Sequence, residues 1–355
     1  MDLSLFDYDL PEGSIAQRKA SPRDTSKLLY IDASGPSPVH RHMRFRDIQN
    51  ILEPGDLLIL NRSRVIPAKV PACKKTGGRA EVLLLERRGE YEWEALVGGK
   101  RIVEGSSLRT GDGAVTVEIV KRLEEGRCAV VFQHLGRKMD NGEIMEWLRK
   151  WGLMPTPPYI KRFLEDPEEY QTVYGDVEGS IAAPTAGLHF TEELLRRLQE
   201  GGVRIVYVVL HVGIGTFAPV KTEDIMEHRM EEEEFFIPES VKDAVKDVME
   251  EYRRSGSPRI WIVGTTTMRS MESAFDVEGN CVMESGRTGL YITPGYEFKL
   301  PYKGFITNFH LPRSTPLILL SAFHNREQVL KAYREAVEMD YKFYSLGDSM
   351  IVKRC

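Results

Sequence analysis

The chain has 355 residues, of which 42% are hydrophobic and 28% charged, and its net charge is −5. This balance supports a packed core and excludes both long disorder and a protein that is basic all over. At this length two domains, or one large domain carrying an insertion, are expected.

Met1 to Leu10 has no basic start and no continuous apolar segment, so a secretory signal is not expected there. Between Gly13 and Ala80 thirteen lysines or arginines stand against five acids. Such an excess is the electrostatic footprint of a phosphate-rich partner, although a solvated basic face also accounts for it. The opposite bias follows later, where Glu231 to Glu234 makes the surface acidic and would repel nucleic acid. Within the basic stretch, Asp56 to Leu60 reads as a buried strand.

From about residue 66 the pattern changes. Ala80 to Glu86, Tyr91 to Val97, Val115 to Val120 and Cys128 to Phe132 are short β-type runs at spacings near ten residues, with Gly-rich turns between them. Regular short strands of this kind predict a small antiparallel barrel or sandwich. Asn141 to Gly152 then predicts a helix, with Asn141 as its N-cap and Gly152 as its stop, and Pro155, Pro157 and Pro158 mark a boundary.

After the boundary, strands predicted at 204–212, 259–263 and 305–309 alternate with helices predicted at 191–200, 239–254 and 266–275. Alternation implies parallel pairing, with ligands bound at the C-terminal ends of the strands. The expected fold is therefore α/β: a large discontinuous domain, residues 1–65 and 151–355, with an inserted small antiparallel β-barrel domain, residues 66–150. The longest apolar run, 203–212, is too short to span a bilayer. Cys73, Cys128, Cys281 and Cys355 are scattered without metal-ligand spacing, so a reduced, cytoplasmic protein without structural zinc is expected. Glutamate outnumbers aspartate while asparagine and glutamine are scarce, a bias of proteins from hot environments.

The densest chemistry lies in Ala182-Ala-Pro-Thr-Ala-Gly-Leu-His-Phe-Thr191 and Leu210-His-Val-Gly-Ile-Gly-Thr-Phe217. Each sets a histidine beside glycines and a threonine. Glycine admits close backbone approach, hydroxyls and amides supply hydrogen bonds, and histidine trades protons near neutral pH. Turn geometry alone explains a single such segment; two in tandem point to a site. Two further strand ends carry similar turns, Gly264-Thr-Thr-Thr-Met-Arg269, which opens a helix whose first amides can hold a carboxylate or phosphate, and Pro312-Arg-Ser-Thr315; ordinary N-capping by Thr or Ser also accounts for each turn taken alone.

These segments resemble the S-adenosylmethionine:tRNA ribosyltransferase-isomerases of queuosine biosynthesis. The resemblance runs through nearly the whole chain: Phe6 to Pro11, Ile15-Ala-Gln17 with Arg23-Asp24, Gly55 to Asn61, Arg64 to Pro67, Glu81 to Leu85, Pro158-Tyr-Ile160, Tyr170 to Tyr174, both histidine segments, Val263 to Thr266, Pro294-Gly-Tyr296, Ile306 to Pro312 and Gly347-Asp348. Three departures stand out. Arg18-Lys19 follows Ile-Ala-Gln where the family usually has a proline soon after, Glu231 replaces a second histidine after His-x-Met, and Leu346-Gly-Asp-Ser-Met350 replaces Tyr-Gly-Asp-Ala-Met. No proton-transfer role is assigned to position 231.

The resemblance implies an enzyme that moves and isomerises the ribosyl part of S-adenosylmethionine onto 7-aminomethyl-7-deazaguanine at the tRNA wobble position. Epoxyqueuosine-tRNA forms, and adenine and methionine leave. The sulfonium makes the C5′ proton removable by a positioned base, protonation helps adenine depart, and the attacking amine must be neutral. S-adenosylmethionine is a consumed cosubstrate, with no metal and no permanently bound cofactor. His189, His211 and His310 are the candidates for proton transfer. Cosubstrate binding is expected from Thr185, Gly187, Gly213, Gly215, Thr216, Thr265, Thr266, Arg269 and Asn308, with Thr265, Thr266 and Arg269 on the methionine carboxylate. Arg18, Arg23, Arg62 and Arg64 are expected to meet tRNA phosphates, and the protein to act as a cytoplasmic monomer away from membranes. Two alternatives stay open: a methyltransferase using the same cosubstrate, and a tRNA-binding protein without catalysis.

Overall fold

A computed structural model describes every residue except Asp112, Pro158, 163–165, Ala218, Pro219 and Cys355, together with all side chains outside these positions but those of Thr216 and Phe217. The chain divides into two compact units, Met1–Arg64 with Pro158–Glu178 and Ala183–Cys355, and Val65–Pro157 with Gly179–Ala182.

The first unit is built on a nine-stranded mixed sheet. In chain order its strands are β1 (Lys27–Asp32), β2 (Val39–Arg44), β3 (Leu57–Asn61), β4 (Arg204–Leu210), β5 (Glu233–Phe236), β6 (Ile260–Val263), β7 (Ser285–Thr288), β8 (Tyr302–Asn308) and β9 (Ser349–Lys353). Their spatial order is β7-β5-β4-β3-β6-β8-β9-β1-β2. The four central strands, β4, β3, β6 and β8, run parallel. β3, β6 and β8 are buried along their whole length, as expected of strands covered on both faces. Parallel pairing does not extend across the sheet, because β9 returns antiparallel to β8 and β5 antiparallel to β4.

Helix α1 (Asn141–Trp151) belongs to the second unit, and the first unit holds α2 (Glu192–Glu200), α3 (Glu239–Ser255), α4 (Thr265–Ala274), α5 (Thr315–Phe323) and α6 (Arg326–Glu338). Thr191 caps α2 through its hydroxyl, and Gly256 ends α3 at φ +69°, where only glycine sits without strain. One core cluster joins Phe45, Leu58, Phe190, Leu194, Trp261 and Ile306. At the start of β8, buried Lys303 binds Asp56 at 2.9 Å, and the same carboxylate accepts from Trp261 Nε1 at 2.8 Å, so this buried charge is paired.

The second unit holds a closed antiparallel barrel of six strands, 127–134, 92–98, 79–87, 69–74, 107–110 and 115–122, which pairs back onto 127–134. The four β runs read from the sequence all lie in it. The strand at 107–110 is too short and polar to be legible in the sequence, and in the strand at 69–74 Pro71 interrupts the strand pattern. The N-cap of α1 is Asp140, not Asn141. Asp140 accepts from the Glu143 amide at 2.9 Å and Glu143 accepts from the Asp140 amide at 3.0 Å, a reciprocal box that Asn141 cannot make. Asn141 instead accepts from Trp93 Nε1 at 2.9 Å. Among the described residues no helix is long and apolar enough to cross a membrane.

Candidate active site

Because β4, β3, β6 and β8 are parallel, their C-terminal residues Leu210, Asn61, Val263 and Asn308 share one edge of the sheet. A narrow crevice opens there, lined by Ala183 to Ala186, Val212, Gly264 to Thr266, Thr307, Asn308 and His310. A second crevice shares Thr265 and Thr266 and continues along Met230, Arg269, Tyr291, Thr315 and Leu319.

The shared wall is the start of α4. Gly264 turns the chain at φ +84°, a left-handed conformation that strains other residues, and no side chain caps the helix. The first helical amides are therefore left for a ligand, and the helix dipole favours an anion there. Thr266 is held from behind, its hydroxyl accepting from Asn61 Nδ2 at 3.3 Å. Asn61 had no role assigned from sequence. The signal was present, since a buried polar residue closes an otherwise apolar strand.

The three histidines fall in three environments. His310 lines the crevice, buried, with Nε2 at 3.0 Å from the Thr307 hydroxyl, and burial pushes its pKa down to about 3. Its backbone is clamped by Tyr333, whose hydroxyl accepts from the His310 amide at 3.0 Å, and by Tyr8, whose hydroxyl donates to the His310 carbonyl at 2.5 Å. His211 follows β4, is half-buried, and its amide donates to the Glu234 carbonyl at 2.9 Å. His189 is buried at the end of a 3-10 turn, Thr185–His189, and stacks on Phe45 with ring centroids 5.0 Å apart. It stands behind the crevice wall, its Nε2 3.1 Å from Asn308 Oδ1 and its Nδ1 2.8 Å from Ser26 Oγ. Burial lowers its pKa to about 4.

The remaining cosubstrate candidates separate in the same way. Thr185 and Asn308 both line the crevice, 3.3 Å apart between Asn308 Nδ2 and Thr185 Oγ1. Gly187 lies behind it, where a Cβ would overlap the Tyr174 hydroxyl. Gly213 donates its amide to Glu233 Oε1 at 2.8 Å, and a Cβ on Gly215 would press on the Glu231 carboxylate. The Thr216 side chain lies outside the described atoms. Arg269 is buried and its guanidinium is already engaged: Nη1 donates to buried Glu233, Nε to the Leu290 carbonyl at 2.9 Å and Nη2 to the Thr288 carbonyl at 2.9 Å. Its charge is matched within the protein, which leaves the α4 amides as the stronger attraction for a carboxylate. Among the described residues no group of histidine, cysteine or acid side chains can hold a metal ion.

Of the four arginines, Arg18 is exposed, while the other three converge on the segment 168–176. Arg23 donates to the carbonyls of Gln171 at 2.5 Å and Glu168 at 2.8 Å. Arg64 donates to the Gly175 carbonyl at 3.2 Å and pairs with Glu168, and Arg62 lies 3.6 Å from Asp176. Lys19 joins this cluster, its pKa pushed down to about 8 by burial and by Arg23.

Fold and crevice together define an α/β protein with a crevice at the carboxyl edge of a parallel sheet, lined by one buried neutral histidine, His310, and by an uncapped helix start. A family model described as Queuosine biosynthesis protein matches residues 3–352. The chain is 43% identical over 354 residues to the S-adenosylmethionine:tRNA ribosyltransferase-isomerase of Staphylococcus epidermidis, covering 99% of this chain and all of that one. Identity to the Staphylococcus aureus protein of the same name is 42% at the same coverage. A crystal structure of S-adenosylmethionine tRNA ribosyltransferase from Thermotoga maritima is 34% identical and aligns over 98% of this chain and all of that one, with a TM-score of 0.52. The chain belongs to the queuosine biosynthesis protein family.

Proposed function

We infer that this protein is an S-adenosylmethionine:tRNA ribosyltransferase-isomerase, which transfers the ribosyl moiety of S-adenosylmethionine to 7-aminomethyl-7-deazaguanine at the tRNA wobble position. Epoxyqueuosine-tRNA is the product, with release of adenine and methionine. The observation that carries this reading is the full-length match to relatives of that name, in a chain whose crevice has the required chemistry at the strand ends.

S-adenosylmethionine is spent as a cosubstrate, and no permanently bound group takes part. The α4 amides at Thr265 and Thr266 hold its carboxylate, while Thr185, Asn308 and the glycine turn after His211 hold the remainder. The C5′ proton, acidified by the sulfonium, passes to a base. His211 is half-buried at the end of β4 and serves as that base; His310, with a pKa of about 3, is too weak a base to do so near neutral pH. His310 stays neutral and orients the substrate beside Thr307. The basic cluster around Arg18, Lys19, Arg23, Arg62 and Arg64 faces tRNA phosphates. The protein acts in the cytoplasm as a monomer, and residues 66–150 form an inserted domain.

Single-turnover assays on His211→Ala test the base assignment. A loss of about a hundredfold or more with an unchanged melting temperature is expected of a general base. A loss that only tracks unfolding contradicts it.

A further inference from the structure

The orientation of the Asn308 amide follows from its neighbours. The carbonyls of Tyr344 and Ser345 only accept hydrogen bonds, and both lie near one atom of this amide, at 3.2 and 3.4 Å. That atom is therefore the nitrogen Nδ2, and the oxygen Oδ1 faces His189 Nε2 at 3.1 Å. An amide oxygen donates nothing, so His189 carries its hydrogen on Nε2. Burial keeps the ring neutral, with a pKa of about 4, so Nδ1 is bare and accepts from the Ser26 hydroxyl at 2.8 Å.

The other end of the network is fixed by the same logic. Asn308 Nδ2 stands 3.3 Å from Thr185 Oγ1. An amide nitrogen accepts nothing, so the Thr185 hydrogen cannot point back at Asn308. Thr185 is half-buried and lines the crevice.

We propose that Ser26, His189, Asn308 and Thr185 form a one-way hydrogen-bond chain that commits the Thr185 hydroxyl to donate into the crevice, so that this wall recognises a hydrogen-bond acceptor of the cosubstrate. The proposal rests on the reading of the crevice as an S-adenosylmethionine site. His189 is then a positioning residue, acting through Asn308 rather than on the reacting atoms. The backbone supports this arrangement at a cost. Tyr344 sits at φ +73°, strained for a bulky residue, and that conformation brings two consecutive carbonyls to Asn308 while its own amide donates to the Phe309 carbonyl at 2.9 Å.

Two measurements test the chain. In ligand-free protein carrying 15N-labelled histidine, the His189 ring is expected to show a protonated Nε2 and a bare Nδ1, unchanged between about pH 6 and pH 8. A protonated Nδ1, or a ring that titrates in that interval, overturns the proposal. Calorimetric binding of S-adenosylmethionine gives the second readout. Thr185→Val is expected to weaken binding about tenfold and Thr185→Ser less than about threefold. His189→Leu should lose a similar factor and His189→Gln, which keeps one donor and one acceptor, should regain most of it. In the His189→Leu background, Thr185→Val should cost less than about threefold more, because the chain is already broken. Fully additive losses, or unchanged binding in Thr185→Val, overturn it. Failure of the unaltered protein to bind S-adenosylmethionine would remove the functional reading, and the tautomer would still decide the chain.

Discussion

The Asn61 side chain pairs with both backbone groups of Leu210, its Oδ1 accepting from the amide at 3.1 Å and its Nδ2 donating to the carbonyl at 3.0 Å. The same Nδ2 reaches Thr266, so one buried amide ties the end of β3 to the end of β4 and the start of α4. Asn61→Ala removes these partners inside the protein, where each orphaned polar group costs about 1–3 kcal/mol. A clearly lower melting temperature is expected, with weaker S-adenosylmethionine binding as His211 and the α4 amides lose their common support. Asn61→Asp should be worse, since it turns a carboxylate towards the Leu210 carbonyl. Unchanged melting in both variants contradicts this.

The buried ion pair between Arg269 and Glu233 makes a second prediction. Removing one member leaves the other charged and unpaired, a loss of about 3–5 kcal/mol. Arg269→Lys is not expected to rescue it, because a single ammonium cannot reproduce the fork that also reaches Leu290 and Thr288. Denaturant unfolding of Arg269→Ala and Arg269→Lys decides this. Native stability in the lysine variant would show that the fork is dispensable.

Stability should fall in mild acid. His189 and His310 have folded pKa values of about 4 and about 3, both below the ordinary value of 6.5. Above that value neither state binds the protons, and the two rings add no pH dependence. As the pH falls below about 6.5 the unfolded chain takes up protons that the folded one refuses, so stability declines until the folded values are reached. Each ring contributes at most about 1.4 kcal/mol per pH unit in this window. Melting measured from pH 7 to pH 4 should therefore be less steep in His310→Asn than in the unaltered protein. Equal slopes would mean that His310 is not held neutral.

The basic cluster separates into exposed and engaged members. Reversing Arg18 to Glu should weaken tRNA binding and lower its salt slope by about one, leaving melting temperature and S-adenosylmethionine binding unchanged. Arg23→Glu should also lower the melting temperature, because that guanidinium holds the carbonyls of Gln171 and Glu168. An unaltered salt slope in both would reduce the cluster to a solvated face.

What the sequence made legible follows from range. The apolar runs 57–60, 204–210 and 260–263 are local signals, and they became the central strands that carry the crevice. β2, Val-His-Arg-His-Met-Arg, was not legible, because an edge strand needs no apolar face. β1 and β9 pair across the length of the chain, a relation that no window shows. The histidine segments were visible as chemistry, but the role of His189 was not. Its ring partners, Ser26 and Asn308, lie 163 and 119 residues away, and only the fold brings them to it. Arg269 was visible as a guanidinium beside the Gly264 turn, but its pairing with Glu233, from another strand, was not.

Nucleoside analysis by mass spectrometry, after incubation with S-adenosylmethionine and tRNA carrying 7-aminomethyl-7-deazaguanine, tests the proposed activity most directly. The expected result is epoxyqueuosine in the tRNA with adenine and methionine released in equal amounts. Formation of S-adenosylhomocysteine with a methylated nucleoside, or tRNA binding without any turnover, would contradict it.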